Sequence, residues 1–242
     1  MHPGSSRPAI IPVKTTRSKA CLHMTPLTPP LKAIVIGATG ATGTFLVDAL
    51  LEDPDYSGVT IFVRRPSGKQ HPKLQEHVID FSRLSDYASL IHGDVLFSTL
   101  GTTLKAAGSK EKQWQIDYEI PAQLAQIAKE NHVRSMVLLS AANANPKSPV
   151  FYSKMKGALE EKIAALGFEQ YIIFRPGLLK RPHSDRAGEK FAVSVLEGLN
   201  KLGILKKYRP LPTKILAEKL AKAPRRESMD RHVVGMAKIF NY

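Results

Sequence analysis

Thiols are almost absent: Cys21 is the single cysteine of the 242 residues, which excludes an intrachain disulfide and a thiolate-based zinc site. No apolar run approaches the ~20 residues that a membrane-spanning helix needs. The eight histidines are scattered, with no pair at ligand spacing on one element, so no metal site is expected. Acid is missing from residues 1–32, which carry Arg7, Lys14, Arg17, Lys19 and Lys32. It is scarce again over 180–242, with 6 acidic residues against 15 basic, whereas 33–179 hold 15 of each. The formal charge of +14 thus belongs to the two ends and not to the middle. No basic stripe is interleaved with aromatics, so the charge does not point to nucleic acid. Hydrophobic residues at 43% are enough for one well-cored domain and exclude a chain disordered throughout.

Residues 1–30 read as a basic, disordered tail, because Pro3, Pro8, Pro12, Pro26, Pro29 and Pro30 forbid a continuous helix. Arginine, serine and threonine without acid are the composition of an organelle transit peptide, a reading the prolines weaken. A true start at Met24 is the alternative. A cytoplasmic location is expected, or a mitochondrial one if the tail is a transit peptide.

From Leu31 the pattern changes. Short apolar runs at Ala33–Ile36, Val59–Val63, His77–Asp80, Asp94–Ser98, Ser135–Leu139 and Tyr171–Phe174 predict six strands. Helices are predicted over Gly43–Leu51, over Gln113–Glu130 with a kink at Pro121, and over Pro149–Leu166 with Ser148 as cap. Strands alternating with helices at this spacing give an α/β fold with a doubly wound parallel sheet. Residues 31–242 read as one domain. Within it 180–242, with helices predicted over Lys190–Leu202 and Lys214–Lys222, would form a small substrate cap over the carboxyl ends of the strands.

The loop Gly37-Ala38-Thr39-Gly40-Ala41-Thr42-Gly43 joins the first strand to the first helix. Its glycines suit a tight turn, a close approach to a pyrophosphate and close helix packing, and the helix N-terminus offers free N–H groups to phosphates. Thr39 and Thr42 add hydroxyls. A glycine-rich turn without ligand is the plainer reading, but the position between strand and helix favours a dinucleotide. Strand two ends in Arg64-Arg65, where an acid would suit a ribose 2′-hydroxyl. Guanidinium groups suit a 2′-phosphate, so NADP(H) is expected over NAD(H), unless both arginines are merely solvated. Asp80-Phe81 ends strand three and would face the adenine, or else Asp80 is a turn aspartate. Leu100-Gly101-Thr102 follows strand four, and Gly101 would let the backbone pass close to the cofactor.

Tyr152 and Lys156 are four apart on a predicted helix and share a face. A free tyrosine has a pKa near ~10, and a neighbouring ammonium favours its phenolate. The pair suits proton exchange with a substrate oxygen during hydride transfer. Ser140, ending strand five, would hold a substrate carbonyl oxygen, and Lys156 would also reach the nicotinamide ribose. A buried tyrosine beside a solvated lysine is the plain alternative. Pro176, in Arg175-Pro176-Gly177, would shape the turn near the nicotinamide.

At these residues the chain resembles an atypical short-chain dehydrogenase/reductase, and more narrowly the NAD(P)H-binding oxidoreductases grouped with the Tat-interacting-protein family and their bacterial relatives. The resemblance covers about Leu31 to Glu189. It rests on Gly37–Gly43, Arg64-Arg65, Leu100–Thr103, Ile116-Asp117-Tyr118, Leu138–Ser140, Phe151-Tyr152, Lys156-Gly157, Phe174–Gly177 and Arg186-x-Gly188-Glu189. It implies a Rossmann fold, NADP(H) binding and a Ser140, Tyr152, Lys156 triad. The run Ala141–Asn145 departs from the small or hydroxyl residue and glycine that often follow the triad serine. The leading expectation is an NADP(H)-dependent oxidoreductase acting on a small carbonyl or alcohol substrate. The alternative is a cofactor-sensing regulator or scaffold with little turnover.

Overall fold

The computed structural model describes residues 26–180 and 209–242. The tail over 1–25 and the helix predicted at Lys190–Leu202 lie outside the described residues. At the centre of the sheet is β1 (Leu31–Ile36). Its side chains alternate between two apolar layers, Ala33 and Val35 into one, Ile34 and Ile36 into the other. A strand covered on both faces has no place for polar alternation, which is why Ala33–Ile36, past the exposed Lys32, is an unbroken apolar run. The other strands are β2 (Tyr56–Val63), β3 (Leu74–Val78), β4 (Val95–Ser98), β5 (Ser135–Leu139), β6 (Gln170–Arg175), β7 (Leu179–Lys180), β8 (Leu211–Pro212) and β9 (Arg231–Gly235). Seven of them form a parallel sheet in the order β3-β2-β1-β4-β5-β6-β9, and β7 pairs with β8 separately.

Among the described residues seven α-helices follow in chain order: α1 (Gly43–Glu52), α2 (Leu104–Ala107), α3 (Lys110–Trp114), α4 (Ile120–Glu130), α5 (Phe151–Ala164), α6 (Thr213–Arg226) and α7 (Met236–Asn241). α1 and α6 cover one face of the sheet through Leu46, Leu50, Leu216 and Leu220. α4 and α5 cover the other through Leu124, Ala128, Leu159 and Ile163. The strand order reverses between β1 and β4, so their carboxyl ends open a crevice of the kind in which doubly wound sheets bind ligands. This is the expected Rossmann-type fold.

Several predicted boundaries move. β3 runs Leu74–Val78, not His77–Asp80, because its extent is set by pairing with Val59–Val63 of β2 and an edge strand needs little apolar content. The stretch predicted as one helix from Gln113 is α3, then a π-helical turn at Gln115–Glu119, then α4. Pro121 lacks an N–H, and the widened turn before it accommodates that loss. α5 starts at Phe151 and ends at Ala164, leaving Leu166 beyond it. Ser148 does not cap α5: its hydroxyl accepts from the Val150 N–H at 3.1 Å, before the helix begins. β9, short and half exposed, has no counterpart among the predicted strands.

The carboxyl-terminal stretch also needs correcting. The helix predicted at Lys214–Lys222 is α6, but it packs on α1 against the sheet, and β9 extends that sheet beside β6. Tyr56 Oη donates to the Ala221 carbonyl at 2.8 Å, and the buried Gln170 amide donates to the carbonyls of Pro224 and Glu227 at 3.0 and 2.9 Å. Those buried bonds make residues 213–242 part of the Rossmann body. The rest of the expected cap is largely 181–208, outside the described residues.

Gly157 lies where α5 crosses the loop before it, and a Cβ there would overlap the backbone of Asn145 and Pro146. Alanine normally favours a helix over glycine by up to ~1 kcal/mol. Here overpacking against backbone dominates, so Gly157→Ala is expected to destabilise by about 3 kcal/mol in urea unfolding.

Candidate active site

The loop after β1 is built by contacts too close for side chains. Gly37 has φ +79°, and a Cβ on it would come within 2.7 Å of the Leu100 nitrogen. Gly43 opens α1 so close to this turn that its Cβ would overlap the Gly37 carbonyl. Gly40 is the least confined of the three, and its Cβ would meet only the Gly37 oxygen at 3.1 Å. Two glycines therefore shape the turn and seat the helix, leaving Gly40 exposed at the surface of the crevice. Thr99 pins the same turn, its Oγ1 donating to Ile36 O at 3.0 Å and Gly37 O at 3.2 Å. Its part was missed in the sequence, where a threonine after a strand has no distinguishing mark.

The N-terminus of α1 faces this crevice with no side-chain capping hydrogen bond from Thr42 and no acid in its first turn. The Thr44 N–H donates to the Gly40 carbonyl at 3.0 Å, and first-turn N–H groups without a side-chain cap attract phosphate. A cleft of about 840 Å³ runs from Gly37–Gly40 past Arg64, Asp80, Phe81 and Ser82 to Leu100–Thr102. A second cavity, about 470 Å³, is walled by Thr39, Arg64, Arg65 and Pro66. Both arginines are exposed at the end of β2, and Arg64 borders both spaces. Asp80 accepts from Ser82 N at 2.9 Å and Ser82 Oγ at 2.7 Å, bonds that hold its carboxyl below the usual range. Asp80 is thus the turn residue of the plainer reading, and it also lines the cleft. Pro176 is buried outside these spaces, where its carbonyl accepts from Ala142 N at 3.0 Å.

A third cavity of about 120 Å³ brings Gly40, Ala41 and Thr42 together with Thr99–Thr102, Ser140, Tyr152 and Lys156. It joins the loop of β1 to the helix of the expected triad. Tyr152 is 39% exposed at its mouth, while Lys156, one turn on, is 2% exposed. The Lys156 ammonium lies 6.0 Å from the centroid of the Tyr152 ring and donates to Leu100 O at 3.3 Å.

Lys156 has a partner that spacing did not reveal. Asp117 sits in the π-helical turn, fully buried, with Oδ1 accepting from Thr102 N at 2.8 Å. Its Oδ2 has no hydrogen-bond partner among the described residues and lies 4.0 Å from Lys156 Nζ. Burial pushes the Lys156 ammonium down, and the charges of Asp117 and Glu160 oppose that shift. Burial pushes the Asp117 carboxyl up, against Lys156 and the Thr102 N–H. The Asp117 carboxylate, aimed at the buried ammonium, offsets part of the cost of burying that cation beside Tyr152.

The fold and this crevice define a Rossmann-type dinucleotide-binding domain. An NAD(P)H-binding family profile matches residues 37–197, and the chain belongs to that family. Similar curated proteins include "Protein FMP52, mitochondrial" of Saccharomyces cerevisiae, 38% identical over 165 residues, covering 65% of this chain and 71% of that one. "Protein fmp52-2, mitochondrial" of Aspergillus oryzae is 35% identical over 178 residues, covering 71% and 76%. These names carry the mitochondrial alternative, and the expected cytoplasmic location finds no support in them. Among solved structures, a UDP-N-acetylglucosamine 4-epimerase of Methanobrevibacter ruminantium aligns with TM-score 0.64 at 17% identity, over 86% of this chain and 76% of that one. A short-chain dehydrogenase/reductase superfamily protein of Agrobacterium tumefaciens with bound NAD aligns at 0.63 and 16%, over 84% and 76%. At such identities the likeness is one of fold, and it agrees with the atypical short-chain dehydrogenase/reductase resemblance.

Asp117→Asn tests the buried pair without any ligand. Breaking such a pair costs about 3 kcal/mol at pH 7. The folded-state pKa of Lys156 lies below its unfolded value, so the buried cation costs stability at low pH and that cost vanishes toward ~10.4. The deficit of Asp117→Asn relative to wild type is therefore expected to shrink between pH 7 and pH 10 in urea unfolding.

Proposed function

We propose that the protein is an NADP(H)-dependent oxidoreductase that interconverts a small carbonyl compound and its alcohol, using Ser140, Tyr152 and Lys156. The observation that carries this reading is the shared cavity in which the phosphate-ready loop, Gly40–Thr42, faces those three side chains. The open N-terminus of α1 and the exposed Gly40 would hold the pyrophosphate, with Asp80 and Phe81 toward the adenine and Leu100–Thr102 along the nicotinamide half. The bound nicotinamide supplies or takes up hydride. Tyr152, at the mouth of the cavity, gives a proton to the substrate oxygen or removes one. Lys156 lowers the cost of the phenolate through its charge, and Asp117 secures that charge in a buried setting. Ser140 contacts the substrate beside Tyr152. Arg64 and Arg65 favour a 2′-phosphate by charge, which supports NADP(H) over NAD(H). The names of the relatives support a mitochondrial location.

Two measurements test the reading. NADPH oxidation with a panel of carbonyl compounds should show turnover, and Tyr152→Phe should lower it 10²- to 10⁴-fold while leaving NADPH affinity within about twofold. Unchanged turnover in that variant would remove the mechanism. In calorimetric titration, replacing Arg64 and Arg65 together by alanine should weaken NADPH binding about tenfold or more and leave NADH binding unchanged.

A further inference from the structure

The Ser140 hydroxyl has one proton, and it is already committed. Ser140 Oγ donates to Oε1 of Glu160, a residue of α5 that is 2% exposed and one turn beyond Lys156. Arg175, at the end of β6, forks onto the same carboxylate: its Nε donates to Oε1 at 3.0 Å and its Nη2 donates to Oε2. The Tyr171 hydroxyl donates to the Glu160 backbone carbonyl at 3.3 Å, which fixes this turn of the helix against β6. A carboxylate is an acceptor only. Hydrogen bonds to it are roughly twice as strong as neutral ones. A buried carboxylate that lost one would pay heavily, so the serine proton stays on the Glu160 side.

Ser140 therefore presents lone pairs, not a proton, to the cavity it shares with Tyr152 and Lys156. A carbonyl oxygen also presents only lone pairs and gains nothing from such a neighbour. A donor on the substrate does gain. We infer that Glu160 is a positioning residue that turns Ser140 into a hydrogen-bond acceptor, and that the site selects substrates with a hydroxyl on the carbon next to the reacting one: α-hydroxy carbonyl compounds and the matching vicinal diols. The reacting oxygen meets Tyr152, and the neighbouring hydroxyl donates to Ser140 Oγ. This inference rests on the oxidoreductase reading above and names its substrate class.

The probes are hydroxyacetone and butanone, which differ by a hydroxyl in place of a methyl group. KM and kcat are measured with NADPH, and equilibrium binding of each probe is measured by calorimetry on the protein loaded with NADP+, where no reduction occurs. Wild type is expected to favour hydroxyacetone at least tenfold in both KM and affinity. In Glu160→Gln with the amide nitrogen in the place of Oε1, the amide donates to Ser140 Oγ and its oxygen keeps the Arg175 Nη2 bond, at the loss of the Arg175 Nε bond. The serine proton is then free for a carbonyl, and the preference should fall about tenfold, with butanone bound more tightly than by wild type. A merely structural role would weaken both probes in parallel, and that result overturns the inference. Should Glu160→Gln fail to fold, Ser140→Ala decides. Loss of hydroxyacetone affinity with butanone unchanged supports an acceptor; equal loss of both marks a donor and overturns it. Equal handling of the two probes by wild type also overturns it and leaves the oxidoreductase reading standing. Absence of turnover across the whole carbonyl panel ends that reading and this inference with it.

Discussion

The approach of α1 to the end of β1 is the contact on which the crevice depends. Gly43 lies against the Gly37 carbonyl, and Gly37 lies against the backbone of Thr99 and Leu100. Two parts of the chain, the Gly37–Gly43 loop and Thr99-Leu100, meet there backbone to backbone. Any side chain would hold them apart, moving the open end of α1 off the place where β1 and β4 part. Thr99 adds hydrogen bonds to two carbonyls of the same junction. The phosphate-ready end of a helix, the floor of the cleft and the Leu100 carbonyl that receives Lys156 thus share one origin.

The second organising element is α5. Tyr152, Lys156 and Glu160 recur every four residues, so they line one face of the helix while their surroundings change from the cavity mouth to the interior. Tyr152 is exposed at the cavity mouth. Lys156 is buried and is held by the Leu100 carbonyl and the charge of Asp117. Glu160 is buried and is matched by Arg175 and Ser140. Two buried charges on one helix would be ruinous without partners. Each has its partner on a different element, the π-helical turn for Lys156 and the end of β6 for Glu160, so the face is rigid only in the assembled fold.

That division explains what could be read from the chain alone. Local rules exposed the glycine loop, the parallel strands of the centre and the Tyr152–Lys156 spacing, because each is written within a few consecutive residues or one helical turn. β3 and β9 are edge or polar strands whose pairing is decided by a neighbour, and apolar patterning marks them poorly. Residues 213–242 read as a cap because a basic, proline-punctuated stretch gave no sign of the Gln170 and Tyr56 hydrogen bonds that hold it to the sheet. In the sequence Asp117 stood out only within the run Ile116-Asp117-Tyr118, and Glu160 not at all. Their roles come from partners 39 and 20 residues away in sequence, Lys156 and Ser140, and no local period encodes such distances.

The π-helical turn shows how an irregularity can serve the site. A regular helix running into Pro121 would face a missing N–H in the middle of its ladder. Widening the ladder over Gln115–Glu119 removes that conflict. The turn also carries Asp117 inward, where one oxygen takes the Thr102 N–H and the other faces Lys156. Thr102 is held from the same side by the Gln113 amide, which donates to its carbonyl at 3.2 Å. The strand-four loop and the buried lysine are therefore fastened to one short stretch of chain. A shift of that stretch would loosen the floor of the cleft and the charge beside Tyr152 together, so the two are coupled through Asp117.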